Sequence, residues 1–208
     1  MNSEMTYLLA TNNPGKAKEI APMFEKAGLL LISLADLGLK FEAGEDGDTF
    51  LHNATQKARE TADFLKEHGH SYAVLADDSG LEIDALEGKP GVHSALFMGR
   101  DTPYHERCQA ILEKLAHVHD EWRLARFICT LVCIFPDGSQ LTTKGAIEGR
   151  IAWDLFGDGG FGYDPIFYYP PYEKTLAELS KEEKNQISHR GQAIQKMIGL
   201  ILNENSGT

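Results

Sequence analysis

The chain has 208 residues, with 20 Lys and Arg against 31 Asp and Glu, a net charge of −11 and a pI near 5.1. A hydrophobic share of 42% with 25% charged residues excludes the disordered class, and the length suits one domain with room for two lobes, since domains run to roughly 150 residues. The acidic balance argues against polymeric nucleic acid or an anionic membrane as partner.

The start, MNSEMTYLLATNN, carries Glu4 and neither the basic segment nor the apolar core of a secretory signal, so the protein is expected to work where it is made. Residues 7–10 read as a strand, 11–15 as a turn, 16–27 as a helix with Ala17, Ile20, Met23, Phe24 and Ala27 on one stripe, and 29–33 as a second strand. A parallel crossover is the economical pairing. An acidic linker at 44–48 precedes a long helix capped by Asp48 or Thr49 and running to about His68, with Asn53, Lys57 and Glu60 on one face. A strand at 72–76, a turn at 77–80, a strand at 81–85, a Gly/Pro turn at 88–91 and a helix from Thr102-Pro103 to about Leu115 follow.

Residues 123–135 and 140–151 read as two long antiparallel strands joined by Pro136-Asp137-Gly138-Ser139. The run FICTLVCIF at 127–135 holds two of the three cysteines without metal-ligand spacing and is far shorter than the ~18 residues of a membrane span; a reduced, cytoplasmic protein is expected. A glycine-rich loop at 157–162 leads to a helical C-terminal region with capping boxes at Thr175-Leu176-Ala177-Glu178 and Ser180-Lys181-Glu182-Glu183. The fold class is α/β with a long mixed sheet.

Four segments carry chemistry. Thr11-Asn12-Asn13-Pro14-Gly15-Lys16 joins a strand to a helix, where backbone N–H groups and an ammonium suit a phosphate; a plain turn with a solvated lysine is the competing reading. Asp77-Asp78-Ser79-Gly80 closes an apolar strand, where ligand sites of open α/β sheets lie. A carboxylate there can hold Mg²⁺ or polarise a water, and because successive side chains of an extended chain point apart, one aspartate faces the site and the other anchors the turn. Glu45 or Asp46, from the acidic linker, could complete a metal site with Asp78. Gly159-Gly160-Phe161-Gly162-Tyr163-Asp164-Pro165 suits either core packing or a nucleobase pocket with a stacking ring. Lys184 with Ser188-His189-Arg190-Gly191 places Arg190 against a helix macrodipole, which asks for another reason for its presence.

LLATNNPGK, ADDSGLEIDALEGKPGVHSA, GGFGYDPIF and LAELSKEEKNQISHRGQA, in this order, resemble the inosine triphosphate pyrophosphatase family over nearly the whole chain. The resemblance implies an elongated α/β protein with two lobes and a central cleft, a single nucleoside triphosphate pyrophosphatase domain over 1–208, Mg²⁺ dependence and a homodimer. It implies hydrolysis of ITP, dITP and XTP to the monophosphate and pyrophosphate, with no nucleic acid polymer or membrane as partner. By the same resemblance Thr11 to Lys16 would hold the triphosphate, Asp78 and Glu45 the metal, Lys57 would face the phosphates, and Ser79 would touch substrate. Phe161, Gly162, Tyr163, Asp164, Lys184, His189 and Arg190 would form the base pocket. Lys16, Lys57, Lys184 and Arg190 are expected to converge. The family commonly reads Phe-x-Glu-Asn-Ala where this chain has Phe50-Leu51-His52-Asn53-Ala54. The alternatives are a pyrophosphatase for modified pyrimidine nucleotides and, because of His52, a nucleotide-binding module without catalysis.

Overall fold

Apolar residues on both faces of a strand call for helices on both sides of the sheet. The computed structural model describes residues 5–206; Glu4, which entered the reading of the amino terminus, lies outside the described residues. The strands are β1 (Tyr7–Leu9), β2 (Leu31–Ser33), β3 (Ala73–Ile83), β4 (Leu124–Ile134), β5 (Gln140–Ile151), β6 (Phe167–Tyr169) and β7 (Lys174–Thr175). They form one sheet in the order β2-β1-β3-β4-β5-β6-β7. The helices are α1 (Pro14–Lys26), α2 (Phe50–Glu67), α3 (Tyr104–Lys114), α4 (Lys181–Ile187) and α5 (His189–Ser206). β1 pairs in parallel with β2 and with β3, as the crossover reading expected, and β6 pairs antiparallel with β5. The sheet is therefore mixed.

The chain divides into two compact units: Met1–Asp78, Cys129–Gly145 and Arg190–Thr208 form unit 1, and Ser79–Ile128 with Ala146–His189 form unit 2. In unit 1 the period of two along each strand sorts side chains into two cores. Tyr7, Leu9, Ala73, Leu75, Cys129 and Leu131 pack with Ile20 and Phe24 of α1 and Ala193, Ile194, Met197 and Ile201 of α5. Leu8, Ala10, Val74, Ala76 and Val132 pack with Ala54, Ala58 and Leu65 of α2. In unit 2, Leu81, Ile83, Phe127, Ile147 and Ile151 pack with Cys108, Ile111 and Leu115 from α3 and its C-terminal end and with Tyr163, Ile166 and Phe167.

Two local expectations are corrected. Asp77-Asp78-Ser79-Gly80 is no turn: β3 runs through it without a break. Gly80 serves close approach, because a Cβ there would meet the Gly91 carbonyl oxygen far inside van der Waals contact and lie 2.7 Å from Ser94 Oγ. α1 begins at Pro14, two residues early, because Asn13 is its N-cap and proline suits the first helical position. β6 and β7 were not anticipated, being too short to show a period. Among the described residues no helix is long and apolar enough to cross a membrane.

Candidate active site

Strand periodicity places the two aspartates at the end of the unit 1 part of β3. Asp77 continues the face of Ala73 and Leu75, toward α1 and α5; Asp78 continues the face of Val74 and Ala76, toward α2. Asp77 accordingly takes the Lys16 ammonium at 3.0 Å and the Arg190 Nε at 3.4 Å on one carboxylate oxygen, and Arg190 also binds Glu19. Burial alone would raise the Asp77 carboxyl, but Lys16, Arg190 and Lys57 outweigh it and hold the group well below the usual carboxylate range. Asp78 accepts a hydrogen bond from Asn53 Nδ2 at 3.0 Å. Here burial wins over Lys16 and Lys57, and the carboxyl is pushed up to about 6. Lys57 donates to the Asp77 carbonyl oxygen at 3.0 Å and pairs with Glu45. Burial opposes the charge on Lys57, yet Asp77, Glu45 and Asp78 together raise its pKa.

At the start of α1, Asn13 Oδ1 accepts from the Gly15 and Lys16 N–H groups at 2.9 and 3.3 Å, and Thr11 Oγ1 accepts from Asn13 N–H at 3.2 Å. Asn12 Nδ2 donates to the Phe41 carbonyl oxygen. Those two helix N–H groups are bonded to the Asn13 cap, and the ammonium of Lys16 reaches Asp77.

In unit 2 the 157–162 loop closes on Asp164, whose carboxylate accepts the Phe161 N–H at 2.7 Å and pairs with Lys184. Gly160 and Gly162 have φ of +69° and +68°, and a Cβ on Gly160 would collide with that carboxylate. The half-buried Phe161 ring has the Lys184 ammonium 4.8 Å from its centroid. His189 is buried and stacks on Phe127 at 4.7 Å. The Tyr163 ring lies in the core, edge-on to Tyr104, with its hydroxyl donating to the Ser94 carbonyl oxygen at 2.8 Å. Arg190 pairs with Asp77 and Glu19 in unit 1; this pairing is the reason a cation stands at the N-terminus of α5. The expected convergence of cations holds for Lys16, Lys57 and Arg190 in unit 1, each of them already matched by a carboxylate.

The Ham1 family model matches residues 7–200. This chain belongs to the Ham1 family. The resemblance drawn from the four motifs is thereby borne out. A dITP/XTP pyrophosphatase of Desulforamulus reducens is 44% identical over 200 residues, covering 95% of this chain and 96% of the relative. Another, from Exiguobacterium sp. (strain ATCC BAA-1283 / AT1b), is 47% identical over 198 residues, covering 95% and 97%. The solved Staphylococcus aureus Ham1 protein superposes with a TM-score of 0.83 at 38% identity, covering 96% of this chain and 99% of its own.

In this Ham1-family chain the oxygen donors for a divalent ion are sparse: among the described residues no group of three or more His, Cys, Asp and Glu is gathered. Asp78 and Glu45 both act on the Lys57 ammonium, and burial disfavours the Asp78 anion by more than Lys16, Lys57 and Asn53 favour it. Mg²⁺ takes one or two protein carboxylates and fills its remaining positions with water and phosphate oxygens, so this donor set fits it. The sequence sets Asn53 with Lys57 and Glu60 on one face of α2 and gives it no role, and it leaves open which of the two aspartates is the anchor. The signal for Asn53 was a polar residue within the run Phe50, Ala54, Ala58 that faces the core.

Proposed function

We propose that this chain hydrolyses deaminated purine nucleoside triphosphates, dITP, XTP and ITP, to the monophosphate and pyrophosphate; its relatives bear the name dITP/XTP pyrophosphatase. The observation that carries this reading is the meeting of Lys16, Lys57 and Asp78 around one strand end of unit 1, with the Asp78 carboxyl raised to about 6. Asp78 takes the proton of the water that attacks the α-phosphorus, the general-base work of a carboxylate positioned beside the phosphates. Lys16 and Lys57 stabilise the charge that grows on the leaving pyrophosphate as the α-phosphorus to oxygen bond breaks, a role worth about 3–4 kcal/mol per preorganised donor. Each lysine stands against a carboxylate, Asp77 or Glu45, so the unit attracts little net negative charge by itself. Mg²⁺, held by Asp78 and Glu45 when bound, would supply the missing positive charge and polarise the phosphate oxygens.

Base reading falls to unit 2. The Phe161 ring offers a stacking face, and Lys184 and His189 offer donors to the 6-oxo group of a deaminated purine; adenine would set its amino group against those donors. Arg190, through Asp77, holds Lys16 in place rather than touching the base. The same reading takes residues 1–208 as one catalytic domain working as a cytoplasmic homodimer, with which three buried, unbridged cysteines agree. Pyrophosphate release from ITP, dITP, XTP, GTP and ATP tests it: kcat/KM is expected to be at least about a hundredfold lower for ATP than for ITP. Equal turnover of ATP and ITP would refute the base assignment, and activity confined to pyrimidine triphosphates would refute the substrate class.

A further inference from the structure

Asn53 is 2% exposed and sits one turn into α2 with both ends of its carboxamide engaged. Its Oδ1 accepts the Gly47 N–H at 2.8 Å, and its Nδ2 donates to Asp78 Oδ2 at 3.0 Å. The partners dictate that orientation, since a reversed amide would set an NH₂ against an N–H and an oxygen against a carboxylate. Gly47 is two residues from Glu45 on the acidic loop. It is buried, and a Cβ on it would lie 2.5 Å from His52 Cγ and 2.9 Å from Asn53 Oδ1. The loop can therefore reach Asn53 only because position 47 is glycine. The His52 ring occupies the space that such a Cβ would need.

We propose that Asn53 is the positioning residue of the metal site: one carboxamide ties the loop that carries Glu45 to Asp78 and so presents two carboxylates from distant segments to one cation. This rests on the reading of Asp78 and Glu45 as metal ligands. Groups that orient metal ligands are worth about ten- to a hundredfold in metal affinity, and Asn53 reaches Asp78 itself, whereas Lys57, which also joins loop and strand, does so through Glu45 and the Asp77 carbonyl oxygen.

The test titrates Mn²⁺ alone into the full chain, following the spin signal of the free ion well below the unfolding temperature, and measures pyrophosphate release from ITP at increasing Mg²⁺. Asn53→Ala and Gly47→Ala are each expected to weaken Mn²⁺ binding about tenfold or more, with turnover recovering at high Mg²⁺ and affinity for metal-free ITP unchanged. Gly47→Ala pushes the loop away from Asn53 Oδ1 without removing the carboxamide, so it carries the test if Asn53→Ala does not fold. Mn²⁺ binding that Asp78→Asn leaves intact would overturn the metal site and this role with it. Binding lost in Asp78→Asn but intact in both other variants would overturn the role of Asn53 alone.

Discussion

Asp77 and Asp78 are neighbours with opposite electrostatic fates, and the difference lies in what each face of β3 brings to them. Asp77 meets Lys16 and Arg190 and stays ionised; Asp78 meets an amide and stays costly to ionise. Because the folded carboxyl of Asp78, at about 6, lies above the ordinary 3.8, its contribution to stability is full below pH 4 and is lost as pH rises through 6. Without metal, Asp78→Asn is expected to raise stability at pH 8 by up to about 3 kcal/mol, to converge with the native chain near pH 4, and to lose turnover. Urea unfolding in chelator at the two pH values measures this, and a variant less stable at pH 8 would contradict the burial argument. Lys16 and Asp78 are legible as candidates from residue type beside strand and helix ends, and Lys57 from the family resemblance. That Asp78, not Asp77, is the strained carboxyl was not legible, since both sit in the same local sequence.

At the scale of elements, the glycine of Asp77-Asp78-Ser79-Gly80 misled because glycine marks either a turn or a close approach, and sequence does not separate the two. β3 continues as one strand whose Gly80 lies under the Gly91 carbonyl, while Ser94 Oγ accepts the Leu81 N–H at 2.9 Å. Gly80→Ala is expected to cost about 2–3 kcal/mol, the range of overpacking against atoms that cannot yield, with the midpoint of denaturant unfolding as the measure; a loss under about 0.5 kcal/mol would show that the 91–94 segment gives way. Helices fared better. The capping boxes at Thr175 and Ser180 form as read, and the stripe Ala193, Ile194, Met197, Ile201 is the buried face of α5, because caps and 3.6-residue periods are written in neighbouring residues.

Over the whole molecule, a charge of −11 coexists with a cluster of cations in unit 1, and the two are reconciled by pairing: Lys16, Lys57 and Arg190 each face a carboxylate. With that net charge and with these cations matched by carboxylates, a labelled 20-nucleotide DNA or RNA is expected to remain unbound at micromolar protein in about 0.15 M salt; a mobility shift there would overturn the charge argument. Composition, the order of most helices and strands, the mixed α/β class and the family were all readable from the chain, because each rests on neighbouring residues or on motif order. Only the tertiary structure decided that Arg190 reaches Asp77, 113 residues away, that the Tyr163 hydroxyl is spent on Ser94, 69 residues away, and that Asn53 links Gly47 to Asp78. Those partnerships follow from which sheet face each helix covers, and no local period encodes that.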